Sequence, residues 1–148
     1  FSTGEWKDSG KFSALLREAR VGVVPVLLCK PTTYMNRSGE SARKLTEFYK
    51  LNPKTQVLVL SDEVDLPLGT LRLRESGSAG THKGLQSIVD AFGEEFSRLR
   101  IGIGTKPERA GLANSVLSAF SEEETATLEA SLEEIPGRIE TFILGATQ

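Results

Sequence analysis

The run VGVVPVLLCK, residues 21–30, constrains the fold of this chain more than any other stretch. It is nearly all apolar and carries several β-branched side chains, a pattern that predicts a buried strand. It is too short to cross a bilayer, which takes about 20 apolar residues in a helix, so the rest of the chain has to cover it. Pro25 removes a backbone donor and predicts a bend or a sheet edge over the first part.

The neighbouring segments supply that cover. KFSALLREAR, before the run, reads as helix or strand, and Gly22 suits a hairpin into the next strand. SGESARKLTEFYK (38–50) places Ala42, Leu45, Phe48 and Tyr49 on one helical face, with Ser38 or Ser41 as the cap and Asn52-Pro53 as the stop. TQVLVLSDEVD (55–65) is a short apolar strand ending in acids, and TLRLRE (70–75) alternates as a half-exposed strand does. KGLQSIVDAFG (83–93) is a helix with Leu85, Ile88, Val89 and Phe92 inward and Gly93 ending it, followed by a strand in SRLRIGIG (97–104). After Ser121, a natural N-cap, a long acidic helical region should be broken in two by Pro136 and Gly137. Strands alternating with helices predict an α/β fold, and the one alternating strand predicts a mixed sheet.

The chain has 148 residues, which is one domain by length and enough to bury roughly 68–70% of the unfolded surface. One cysteine, Cys29, excludes an internal disulfide framework and fits a reducing compartment; one Cys and one His exclude the usual four-ligand structural zinc site. The net charge of −2 is unevenly spread. Residues 121–148 hold seven acids and one base, a net of −6, so the rest of the chain carries +4. Residues 70–110 are locally basic, with Arg72, Arg74, Lys83, Arg98, Arg100, Lys106 and Arg109 against five acids. Such segregation permits a nucleic-acid face on a protein that is acidic as a whole.

Four loops are candidates for chemistry. GSAGTHKG (77–84) is glycine-rich ahead of a helix, yet no Ser or Thr follows Lys83 as a Walker loop requires. GIGTKP (102–107) lacks the third glycine and the helix of a dinucleotide site. In SDEVDLPLG (61–69), Asp62 lies at the carboxyl end of a strand, where α/β sheets place ligand-binding groups, and an aspartate there can orient a histidine. In KPTTYMNRSGES (30–41), Asn36 offers both a donor and an acceptor, which suits a peptide carbonyl or amide.

KPTTYMNRSG, DEVDLPLG, GSAGTHKGL and RLRIGIGTKP, in this order and spacing, closely resemble the bacterial-type peptidyl-tRNA hydrolase family from about Lys11 to about Gly145. The resemblance implies a single-domain, monomeric three-layer α/β/α sandwich around a twisted mixed β-sheet. It implies a cytoplasmic enzyme, free of metal, cofactor and membrane, that cleaves the ester between a peptide (or N-blocked amino acid) and tRNA. Position by position, Tyr34, Met35 and Asn36 correspond to the cleft that holds the peptide, and Asp62 to the carboxylate partner of the catalytic histidine. His82 corresponds to the loop histidine that contacts substrate, and Arg74 and Arg100 to residues that meet tRNA phosphate. Residues 121–148 correspond to the family's C-terminal helical lid.

Two departures stand out. The asparagine that follows the loop histidine in the family, and helps to hold the reactive water, is here Lys83. Lysine donates but does not accept, so a catalytic part for Lys83 is either to favour a developing oxyanion or to grip phosphate. The front, FSTGEWKDSGKF, matches neither the family's first strand with its Gly-Asn-Pro-Gly loop nor its Thr-Arg-His-Asn segment, which supplies the base. Without that base, residues 1–148 are expected to work at or near background. The alternative function is a non-catalytic RNA-binding protein of the same fold, as in plant organellar relatives that assist intron splicing; a small-molecule esterase is a third.

Overall fold

The computed structural model describes residues 2–104 and 120–146. In chain order the elements are β1 (Ser2–Thr3), β2 (Lys7–Ser9), β3 (Ala14–Val21), β4 (Val24–Pro31), a 3-10 turn (Met35–Arg37), α1 (Ser38–Phe48), α2 (Pro53–Gln56) and β5 (Leu58–Glu63). They continue with β6 (Leu71–Arg74), α3 (Lys83–Phe92), β7 (Ser97–Gly102), α4 (Glu122–Leu132) and α5 (Ile135–Ala146). Lys106 and Arg109, counted above in the basic stretch, lie outside the described residues, as does the end of GIGTKP.

The α/β class and the mixed pairing are as expected, with the described strands divided between two sheets. The first is antiparallel: β3 pairs with β1, β2 and β4, and β3 and β4 form a hairpin that turns at Gly22. The ambiguous KFSALLREAR segment is thus a strand from Ala14 on, because residues 14–21 face β4 along their whole length, while residues 11–13 form a turn. The second sheet is mixed, with β7 central, parallel to β5 and antiparallel to β6.

Three local expectations are corrected. The run at 21–30 holds the end of β3, the turn at 22–23 and most of β4, and β4 is mostly half-buried and pairs only with β3 among the described residues. It is the sheet-edge position that Pro25 foretold. Neither Ser38 nor Ser41 caps α1. The 3-10 turn runs straight into the helix, and the two hydroxyls donate elsewhere, Ser38 Oγ to the Met35 carbonyl and Ser41 Oγ to the Ser13 carbonyl, both at 2.7 Å. Phe48 and Tyr49 are about half exposed, since at the last turn of α1 they pack edge-on and stacked against Phe12. That helix ends at Phe48 with Tyr49 as its C-cap, and Lys50, with φ +54°, turns the chain away, whereas Asn52 caps the short α2.

Two apolar clusters hold the layers. Phe12, Ala14 and Leu45 join the first sheet to α1, with Leu16, Leu27 and Cys29 packed around them. Ala79, Leu85, Ile88 and Phe96 gather α3 over β5, with Ala42 and Val59 beside them. Helices α1 and α3 meet closely through Gly39, whose amide donates to Ser87 Oγ at 2.8 Å. A Cβ at Gly39 would come 2.1 Å from the Ser87 carbonyl oxygen, so this crossing admits only glycine without movement. At the other end of the chain, Ser121 caps α4 in a full capping box with Glu124, and α4 gives way to α5 just before Pro136 as expected. Thr127 of α4 rests against the turn at Gly69.

Candidate functional site

Strand β5 delivers Asp62 to its carboxyl end, and the loop 76–81 delivers His82 to the start of α3. His82 Nε2 lies 2.9 Å from Asp62 Oδ1, and His82 Nδ1 accepts the Leu85 amide at 3.1 Å. The second contact assigns the tautomer. An amide N–H needs a lone pair, so Nδ1 is bare and Nε2 carries the hydrogen donated to the carboxylate. His82 is therefore an imidazole N-cap with both ring nitrogens engaged. Its pKa lies above the ordinary histidine value, chiefly through the hydrogen bond it donates to Asp62, with burial opposing. Asp62 is held below the ordinary carboxylate value, chiefly by the same hydrogen bond.

The sequence-based roles had placed Asp62 with a histidine outside these residues and His82 with the substrate. In the structure the two meet each other. The engaged Nδ1 agrees with reading His82 as something other than the water-activating base, since taking a proton there would break the Leu85 cap.

The 30–41 loop divides around this pair. Met35 turns toward it: a Cβ at Gly84 would lie 2.6 Å from Met35 Sδ and 2.9 Å from His82 Cε1, so sulfur, imidazole and the first turn of α3 are in contact distance. Asn36 is exposed on the 3-10 turn beside Met35. Tyr34, 79% exposed, goes the other way. It lines a cleft of about 660 Å³ with Thr32, Thr33, Ser13 and Lys44, away from Asp62 and His82. Neither Met35 nor Asn36 lines that cleft.

Lys83 follows His82 as the first residue of α3 and is exposed. A cation in the first turn opposes the helix dipole, so its place there is not one that helix stability selects. Arg72 and Arg74 are exposed on β6. Arg100 differs: it donates to the Ser78 carbonyl at 3.0 Å and lies 3.6 Å from Glu63, leaving its side chain 23% exposed. The Cys29 thiol is pushed up to about 11 by burial, too high for a nucleophile at neutral pH.

Sequence reasoning missed Arg98. It counted toward the basic face, but it is completely buried and donates to the carbonyls of Gly77, Glu94 and Phe96. The alternation in SRLRIG did put Arg98 and Arg100 on one face of β7. What no local pattern could show is that the glycine-rich loop closes over that face.

Fold and site together define an α/β protein with a carboxylate–imidazole pair at a strand end, flanked by a glycine-rich loop and an exposed arginine strand. Comparison with known proteins names the group. The family model for peptidyl-tRNA hydrolase matches residues 2–148, and the chain belongs to that family. It is 45% identical over 134 residues to the peptidyl-tRNA hydrolase of Alkaliphilus oremlandii, covering 90% of this chain and 71% of the relative. It is 48% identical over 119 residues to that of Chloroflexus aggregans, covering 80% and 63%. Among solved structures, the peptidyl-tRNA hydrolase of Acinetobacter baumannii superposes with a TM-score of 0.88 at 31% identity, covering 97% of this chain and 72% of that one. A complex of peptidyl-tRNA hydrolase with N-propanol gives the same TM-score at 30% identity, covering 95% and 71%.

Proposed function

We propose that this protein hydrolyses the ester bond between a peptide, or an N-blocked amino acid, and tRNA. The observation that carries this reading is the Asp62–His82 pair at the carboxyl end of β5, with Met35 against it. Family membership supports the reaction; the geometry supports the parts. Asp62 holds imidazole N–H by a charge-assisted hydrogen bond and remains 46% exposed, open to substrate and water. His82 fixes the loop and presents its ring edge beside Met35, and Asn36 supplies a donor and an acceptor to the peptide. Lys83, at the same helix start, offers a positive charge to phosphate or to the developing oxyanion. Arg74 meets the tRNA backbone; Arg100 does so only with what its bonds to Ser78 and Glu63 leave free.

The base that activates water is, on the family resemblance, a second histidine, and these 148 residues contain one. Activity is therefore measured on residues 1–148 and, if the reading frame extends beyond them, on its whole product. Among the described residues no helix is long and apolar enough to cross a membrane; a cytoplasmic, monomeric protein whose helices α4 and α5 form a lid completes the proposal. The test is cleavage of N-acetylaminoacyl-tRNA by the product of the complete reading frame and its Asp62→Asn variant. Cleavage that falls at least ~10²-fold on that change, the low end for a lost acid–base partner, is the expected result. RNA binding without cleavage would favour the non-catalytic alternative.

A further inference from the structure

Arg98 is the largest fully buried side chain among the described residues, and it has no ion pair among them. A buried guanidinium without a carboxylate in direct contact is a poor device for stability, because the charge of Glu94 offsets only part of its desolvation. What it supplies is geometry. One nitrogen, Nη1, donates to the Gly77 carbonyl at 2.8 Å, and the other, Nη2, to the carbonyls of Glu94 and Phe96. Its Cζ lies 3.9 Å from the centroid of the Phe96 ring. Gly77 opens the loop that leads to His82, while Glu94 and Phe96 follow the end of α3. A single rigid fork on the central strand β7 thus ties both ends of the segment that carries His82. Two residues on, Arg100 holds the next carbonyl, Ser78.

We propose that Arg98 is a positioning residue for the Asp62–His82 pair: by fixing the Gly77 end of the loop from β7, it sets where His82 meets Asp62 on the parallel neighbour β5. The inference rests on reading that pair as functional, but its test reads the pair's geometry directly and not turnover, so the two can fail separately. His82 is the only histidine, so its imidazole gives one set of proton and nitrogen resonances. The groups that raise its pKa are Asp62 and Glu63, both on β5, with the Asp62 hydrogen bond foremost. A loop that drifts from β5 weakens that bond.

The experiment is a pH titration of the His82 resonances in the wild type, Arg98→Lys, Asp62→Asn and the double variant. Lysine keeps the charge but gathers its donors on one nitrogen, which cannot span carbonyls on both sides of α3. The expected result is a folded Arg98→Lys protein whose His82 pKa moves toward that of Asp62→Asn, with no further movement in the double variant. An unchanged His82 titration in folded Arg98→Lys overturns the proposal, and so does an equal shift with and without Asp62. Should Arg98→Lys not fold, Gly77→Ala decides. Gly77 has φ +135° with open space around it, so alanine strains the loop backbone without touching Arg98. A lowered His82 pKa there supports the link from loop start to pair, and an unmoved one refutes it.

Discussion

Replacing Gly39 with alanine tests how the site is assembled. The added Cβ would sit 2.1 Å from the Ser87 carbonyl oxygen and 2.9 Å from Ser87 Oγ. Ordinary contact begins at 3.4 Å, so α1 and α3 must part by more than 1 Å at their crossing. The obstacle is backbone, which cannot rotate away. Overpacking of this kind costs about 1–3 kcal/mol, and the gain in helix propensity of alanine over glycine returns at most ~1 kcal/mol. A net loss of about 1–2 kcal/mol lowers Tm by roughly 2–8 °C in a chain of this length. The same parting carries the 3-10 turn, and Met35 with it, away from Gly84 and His82. Thermal unfolding followed by circular dichroism reads the first effect, and the His82 resonances read the second. A Tm equal to or above that of the wild type, with unmoved His82 resonances, would refute the crossing described here.

His82→Ala removes both the helix cap and the partner of Asp62, and should destabilise by about 0.5–2 kcal/mol; His82→Asn, a good cap, should recover most of that in chemical denaturation. Stability should also depend on pH through the pair. Asp62 is depressed and His82 raised, so the ionic contribution is present above the unfolded carboxylate pKa and below the unfolded histidine pKa, less the Leu85 cap that protonation of Nδ1 breaks. It is lost as pH falls through the lowered Asp62 value or rises through the raised His82 value, and Asp62→Asn should flatten both limbs of a stability-versus-pH curve. Lys83→Asn relieves a cation at a helix start, so it should gain a few tenths of a kcal/mol and keep turnover within ~10-fold; a larger fall shows that lysine has a catalytic part. Arg74→Ala should reduce the slope of log tRNA affinity against log salt by about one, with a smaller change for Arg100→Ala, because the second guanidinium is already bound.

Much of this arrangement was legible in the sequence because it follows from local rules. Period-two alternation gave β6, the apolar stripe gave α3, Ser121 gave the start of α4, and Asp62 stood at a strand end. The errors lie where tertiary contacts overrule local signals. Ser38 and Ser41 are good caps, yet a preceding 3-10 turn leaves them free to bond elsewhere. Phe48 and Tyr49 fit an inward stripe, yet the helix ends beneath them. Arg98 and Arg100 look like exposed basic residues until a loop from elsewhere in the chain is seen to close over them. The meeting of His82 with Asp62, 20 residues apart, also depends on how that loop is held.

The central claim is that Asp62 works on the ester while His82, engaged at both nitrogens, orients the loop and is not the base. The most direct measurement is the rate of N-acetylaminoacyl-tRNA cleavage by the product of the complete reading frame, compared with its Asp62→Asn and His82→Asn variants. The account predicts that Asp62→Asn is the severe lesion, and that His82→Asn, which keeps the helix cap, loses far less. Loss of cleavage on His82→Asn with near-normal cleavage by Asp62→Asn would contradict it.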